Sequence, residues 1–242
     1  MELKICHLYS DVMNLSCDRG NVLVLEKRLQ WRGIDATTTA VNMNDTLDAE
    51  AYDLIFIGNG QPFTQSMVLE DAKAHKSAAL KAAVENGVPV LAIDGGYELL
   101  TKTCKLADGT IAEGLGILDA EVTYDQKRLV GDYVFTCDEL GVNLVGFENH
   151  AGKTRLGSGV RPLGKVLSGK GNNGEDGTEG ARYQNVFATY AHGSLLPKNP
   201  ALADHILKLA LERKYGAVEL TALDDTFAVN AHNYMEQRLL KK

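Results

Sequence analysis

Through roughly the first hundred residues, short apolar runs alternate with amphipathic stretches. Leu3–Leu8 predicts a strand, and Asn21–Trp31 predicts a helix with Val22, Leu25 and Leu29 on one face. Ala36–Val41 is β-rich, and Tyr52–Ile57 reads as a buried strand that stops at Gly58-Asn59-Gly60. Helix formers fill Thr64–Asn86, with Gly87 as the stop signal. Val88–Ile93 is fully apolar, and Gly95–Cys104 predicts a return to helix. Strand and helix in alternation imply parallel strands joined by crossovers.

Beyond residue 110 the texture changes. Ile117–Thr123, Asp132–Thr136 and Leu144–Phe147 predict strands without helices between them. Gly157–Gly180, rich in glycine, asparagine and charge, reads as surface loop. Val186–Tyr190 predicts a short buried strand, and Pro200–Tyr215 an amphipathic helix. The tail from Val218 to Lys242 predicts one more helix. The economical division is one α/β domain over residues 1–215 and a helical tail over 216–242.

Composition narrows the function classes. The chain has 242 residues, 45% hydrophobic, with a net charge of −7. That apolar content supports a folded core, and the acidic balance argues against a general nucleic-acid binder. No apolar run approaches the roughly 20 residues that span a bilayer. The N-terminus has neither a long apolar segment nor a small-residue cleavage site, so it reads as a first strand of a cytoplasmic protein. Cys6, Cys17, Cys104 and Cys137 form neither a CxxC pair nor a zinc spacing, which fits free thiols and no metal site.

Three places carry candidate chemistry. In Val88–Tyr97 an apolar strand runs into Asp94, followed at once by Gly95 and Gly96. Ala92 and Gly96 flank Asp94 at minus two and plus two, which suits a nucleophile elbow. Such a turn presents its central side chain at the carboxyl end of a sheet, beside a helix N-terminus. The plainer reading is that Asp94 only caps that helix. Gly58-Asn59-Gly60-Gln61 ends the neighbouring strand, where its N–H groups could complete an oxyanion hole or simply form a glycine turn. His192 follows another short apolar strand, within reach of the elbow or merely structural.

Together with further strings, these points resemble class I glutamine amidotransferases of the cobyric acid synthase-like branch. The strings include Asp18-Arg19-Gly20-Asn21, Glu113–Leu118, Gly146–His150, Gly171-Asn172-Asn173 and His192-Gly193. Within that branch the chain is most similar to glutaminase subunits of lipid II isoglutaminyl synthases. The resemblance implies a flavodoxin-like α/β fold, with a mostly parallel sheet and flanking helices. It places Asp94 at the nucleophile position and His192 at the base position. Arg128 falls on an arginine that binds glutamine, and Gly58, Asn59, Gly60, Gln61, Gly95, Asn149 and His150 fall on the substrate-binding strings. It implies a cytoplasmic heterodimer with a Mur ligase-like (MurT-like) synthetase. That partner would use ATP and Mg to amidate D-glutamate in the peptidoglycan precursor. No cofactor is expected in this subunit.

The sequence departs from the pattern where it matters most. The nucleophile of the family is cysteine, and here Asp94 stands in its place. Asn59, Pro62 and Glu98 replace a glycine, an acidic residue and a glutamine common in the family, and Ser194 stands where a third catalytic residue often lies. Attack by a carboxylate on an amide would form an anhydride, uphill from the amide, and its charge would oppose the developing oxyanion. Glutamine hydrolysis is therefore expected to be lost or impaired. Cys104, ten residues on in the predicted helix, is expected to be too far away to substitute. Three explanations stay open: a pseudo-glutaminase that only binds its partner, an introduced substitution, or an Asp94-nucleophile hydrolase that forms and hydrolyses an ester.

Overall fold

The structure, a computed structural model, describes residues 1–105 and 110–241. In chain order it opens with β1 (Glu2–Leu8), α1 (Arg19–Gln30), β2 (Asp35–Val41) and β3 (Leu54–Ile57). Next come α2 (Pro62–His75), α3 (Ser77–Glu85), β4 (Val90–Ile93) and α4 (Gly95–Leu100). Strands β5 (Thr103–Lys105), β6 (Ile111–Glu113), β7 (Ala120–Cys137), β8 (Val142–Leu156) and β9 (Gly164–Ser168) follow. The chain ends through β10 (Thr178–Glu179), β11 (Ala181–Tyr183), β12 (Val186–Thr189), α5 (Leu195–Lys198), α6 (Pro200–Tyr215) and α7 (Thr226–Leu240).

The first sheet has the order β11-β12-β4-β3-β1-β2, parallel throughout except for β11. Both faces are covered, which is why its strands read as unbroken apolar runs. Along β3, Ile55 and Ile57 enter one core layer while Leu54 and Phe56 enter the other. Along β4, Val90 and Ala92 divide from Leu91 and Ile93 in the same way. From β1 the chain places β2 on one side and β3 on the other, so the order reverses between β1 and β3. A crevice at the carboxyl ends of the strands is where open α/β sheets bind ligands. The α/β expectation, with a mostly parallel sheet and flanking helices, matches this architecture.

The second sheet, β10-β9-β7-β5-β6 with β8 paired to β7, is mainly antiparallel. The long β7–β8 hairpin accounts for the strands expected without helices between them. Its register breaks between Tyr124 and Leu129, opposite Gly152 and His150, which leaves Arg128 in a bulge.

Four sequence expectations need correction. The helix expected to Cys104 ends at Leu100, and Cys104 lies on β5. Gly114 N–H donates to Lys102 carbonyl and Leu115 N–H to Leu99 carbonyl, so the chain folds back against the end of that helix. The single helix over 64–86 is broken at Lys76, whose backbone (φ −135°, ψ −21°) leaves the helical region. Its buried ammonium bonds Asp71 at 2.5 Å, and Asp71 also accepts from Tyr9 at 2.7 Å. The stretch 157–180 is no surface loop: it carries β9 and β10, and Asn172, Asn173 and Glu179 are buried. Asn172 accepts from Tyr97 Oη at 3.3 Å and donates to Gly180 carbonyl, tying this stretch to α4. Finally, the buried strands begin later than expected, at Leu54 and Val90.

Helix α7 is docked rather than free. Arg28, buried on α1, reaches Asp204 on α6 at 2.6 Å and Asp225, before α7, at 2.6 Å. Leu239 packs on Val134 and Val145 of the hairpin, and Arg238 bonds Asp132 at 2.8 Å. Among the described residues no helix is long and apolar enough to cross a membrane.

Candidate active site

Asp94 follows β4 and caps α4 with φ 49° and ψ −107°, a conformation rare for a residue with a side chain. The strained turn confirms the elbow geometry expected from the small neighbours. A Cβ on Gly96 would stand 2.6 Å from Ile57 carbonyl oxygen and 2.9 Å from that of Gly58. The elbow therefore needs glycine there, because the helix start presses on the end of β3. Asp94 N–H donates to Thr189 carbonyl at 2.9 Å, which pins the elbow to β12.

His192 lies just past that same β12. Its N–H donates to Phe147 carbonyl at 2.9 Å, and its ring meets Phe147 edge-on at 5.7 Å. The hairpin thus sets the imidazole beside the elbow: His192 Nδ1 is 3.6 Å from Asp94 Oδ2. Burial holds the imidazole down at about 4, so it is neutral near pH 7. Burial, then the Glu98 and Asp18 carboxyls, push Asp94 well above the usual carboxylate range. Both shifts favour the uncharged forms of the two groups, and Nδ1 lacks a hydrogen-bond partner. Ser194, two residues on, gives its hydroxyl to Cys17 carbonyl at 2.6 Å and so does not orient the ring.

A cavity of about 510 Å³ opens in front of Asp94. Asn59, Gly60, Gly95, Arg128 and His150 line it, as the sequence places them together. Asn149 meets it through Arg128, which donates from Nε to Asn149 Oδ1 at 2.8 Å and bonds its carbonyl as well. The bulge carries the exposed Arg128 side chain to the cavity wall, where its charge favours ionised Asp94. His150 stacks on Tyr190 at 3.7 Å and donates from Nδ1 to Gly152 carbonyl at 2.6 Å. Gly58 and Gln61 are not in the wall. Gly58 packs beneath, with space for no Cβ against Asp18, and Gln61 is exposed at the cap of α2.

Several groups at the site carry no local sequence signal. Glu98 was visible only as a departure from the family pattern. Its buried carboxyl accepts from Tyr124 Oη, and from Tyr190 Oη at 3.2 Å. Burial nevertheless raises its pKa. Glu179, fully buried, accepts from Thr189 Oγ1 at 2.6 Å and Tyr190 N–H at 2.9 Å, bracing the approach to His192. Burial pushes it up to about 7. Cys104 lines the same cavity, contrary to the expectation that it lies remote on a helix. Its thiol is pushed up to about 11 by burial and by Glu98, which leaves it a poor nucleophile. Among the described residues no group of three His, Cys, Asp or Glu side chains is placed to hold a metal ion.

Two backbone donors beside Asp94 are already engaged. Gly95 N–H, the first after the elbow, donates to Asn59 Oδ1 at 3.2 Å. Asn59 N–H donates to Asp18 Oδ2 at 2.6 Å. These two candidate oxyanion donors thus hold acceptors from within the chain.

The chain matches the CobB/CobQ-like glutamine amidotransferase domain over residues 4–200. It is similar to the GatD subunit of lipid II isoglutaminyl synthase (glutamine-hydrolyzing) of Staphylococcus aureus strain N315. The two are 39% identical over 237 residues, covering 98% of this chain and 96% of that protein. The GatD subunit of Streptococcus pneumoniae strain R6 is 38% identical over 227 residues, covering 93% of this chain and 86% of that protein. Among solved structures, a glutamine amidotransferase from Thermotoga maritima superposes with a TM-score of 0.55 at 13% identity, covering 99% of each chain. That likeness speaks for the fold alone, while the extent of the sequence matches makes this chain a member of the CobB/CobQ-like glutamine amidotransferase family.

Proposed function

We propose that this chain is the glutaminase-type subunit of a lipid II isoglutaminyl synthase-like complex in which glutamine hydrolysis is lost or strongly impaired. The matches to GatD subunits over nearly the whole chain support the role. The observation that carries the impairment is Asp94 at the elbow: a buried carboxyl, in surroundings that favour its protonated form, in place of a thiolate. A neutral carboxyl is no nucleophile, and an ionised one would repel the oxyanion. His192 remains placed as a base but has no thiol to deprotonate. In this reading the chain binds a cytoplasmic Mur ligase-like synthetase, and that partner spends ATP to amidate D-glutamate of the peptidoglycan precursor. Free ammonia then replaces glutamine as the nitrogen source.

Ester chemistry at Asp94 is less well supported. Displacement at carbon needs an ionised nucleophile, and burial with Glu98 and Asp18 nearby favours the protonated acid.

The test is co-expression with a Mur ligase-like synthetase, followed by amidation assays on lipid II. The expected result is a stable complex that amidates with ammonium chloride and not with glutamine. A monodisperse chain that ignores such partners would overturn the role, and glutamine-driven amidation would overturn the impairment.

A further inference from the structure

Asp94 is not the only obstacle to hydrolysis. A tetrahedral intermediate formed at residue 94 would place its oxygen against the N–H of residue 95, the donor that the turn presents. That donor points at Asn59 Oδ1, 3.2 Å away. The residue itself is crowded on its Cα side. A Cβ built on Gly95 would lie 2.2 Å from Gln65 Nε2 and 3.1 Å from Asn59 Oδ1. Gln65 is itself held, donating from Nε2 to Gly60 carbonyl at 3.3 Å. The Asn59 backbone is anchored in turn, its N–H donating to the buried Asp18 carboxyl at 2.6 Å. The side-chain amide oxygen of Asn59 therefore takes the acceptor position that a substrate oxygen would occupy.

We infer that Asn59 is a positioning residue that closes the oxyanion hole through Gly95 N–H, so that restoring a thiol at position 94 alone leaves most of the rate unrecovered. This rests on the reading of the site as a glutaminase site. Removing one oxyanion donor typically lowers kcat by about 10²–10³-fold. Opening Gly95 N–H should recover a factor of that order, about 10²-fold. The gain should fall in kcat with KM little changed, since the amide of bound glutamine needs the hole chiefly as its oxygen gains charge. Asn59 has an ordinary negative φ, so alanine is tolerated there and removes the amide without new backbone freedom.

The experiment compares D94C, D94C/N59A and D94C/N59D for ammonia release from L-glutamine. D94C/N59A should exceed D94C by about 10²-fold in kcat, whereas D94C/N59D, which keeps an acceptor at the same place, should stay at or below D94C. Equal rates for D94C and D94C/N59A, or recovery in D94C/N59D, would overturn the inference. A second readout covers variants too slow to turn over. A chloromethyl ketone analogue of glutamine alkylates the introduced thiolate: a C–S bond forms, the C–Cl bond breaks and chloride leaves, through a carbonyl adduct that uses the same hole. Intact mass should show faster labelling of D94C/N59A than of D94C. Equal labelling, or none in either, overturns the inference. Both readouts use the subunit itself, so failure here is separable from failure to bind a synthetase.

Discussion

Replacing Asp18 by asparagine should change how stability depends on pH, by an amount the structure sets. Asp18 is fully buried at the start of α1, with Oδ2 accepting from Asn59 N–H and Oδ1 unpartnered. Burial outweighs that hydrogen bond and pushes its pKa from 3.8 up to about 7. Between these values the folded chain binds more protons than the unfolded one, so stability falls as pH rises. At about 1.4 kcal/mol per pH unit, the cost is roughly 1.6 kcal/mol at pH 5. It reaches roughly 4 kcal/mol by pH 8. Asparagine has no such titration. It keeps an oxygen for Asn59 N–H, but its NH₂ would be buried without a partner, at about 1–3 kcal/mol. That penalty does not vary with pH and so leaves the slope untouched. Urea unfolding of both proteins at pH 5, 6, 7 and 8 measures the difference. Relative to the parent, Asp18→Asn should gain roughly 2.5 kcal/mol between pH 5 and pH 8. Parallel profiles across that range would refute the reasoning. Glu179, also held at about 7, contributes to the same alkaline decline in both proteins and cancels in the comparison.

On the acid side, burial holds His7 and His192 at about 4. These two groups bind fewer protons folded than unfolded, so the stability they contribute is lost as pH drops from about 6.5 towards 4, opposing the raised carboxyls of Asp18 and Glu179 over the same range. In NMR titrations neither imidazole should protonate above pH 5, and a midpoint near 6.5 for His192 would contradict the neutral imidazole at the elbow. Arg28→Ala strands the partly buried Asp225 and leaves Asp204 to Arg32 alone, and should cost about 2–3 kcal/mol in urea unfolding. It should also expose the segment before α7 to limited proteolysis, and an unchanged digestion pattern would count against the anchor. Gly96→Ala drives a methyl group into the carbonyls of Ile57 and Gly58 and should cost about 1–3 kcal/mol. In the D94C background it should also abolish recovered ammonia release, whereas retained activity would mean that the elbow does not need its close approach.

Much of this site is readable from the chain because it is built locally. An apolar strand that ends at Asp94-Gly95-Gly96 can only make a tight turn into a helix, and parallel packing of both faces follows from strands without polar positions. The family resemblance implied roles for His192 and Arg128, and His192 lies past the apolar strand expected there, while the β7–β8 bulge that carries Arg128 to the site was not foreseen. What stayed hidden depends on contacts between distant segments. Asp18, Asn59 and Gly95 form one hydrogen-bonded chain, yet they lie 41 and 36 residues apart in sequence. The stretch 157–180 has loop-like composition, but its asparagines turn inward to satisfy buried carbonyls, such as Asn173 Nδ2 with Thr154 at 2.8 Å. Cys104 was misplaced because helix propensity gave no hint that the chain folds back against Leu99 and Thr101.

The most direct test of the central claim is glutamine turnover by the unaltered chain in complex with a Mur ligase-like synthetase. Ammonia release should not exceed the blank, while D94C in the same complex should release it in a manner abolished by His192→Ala. Turnover by the unaltered chain that disappears in Asp94→Asn would contradict the account, because it would make the carboxyl itself the catalyst.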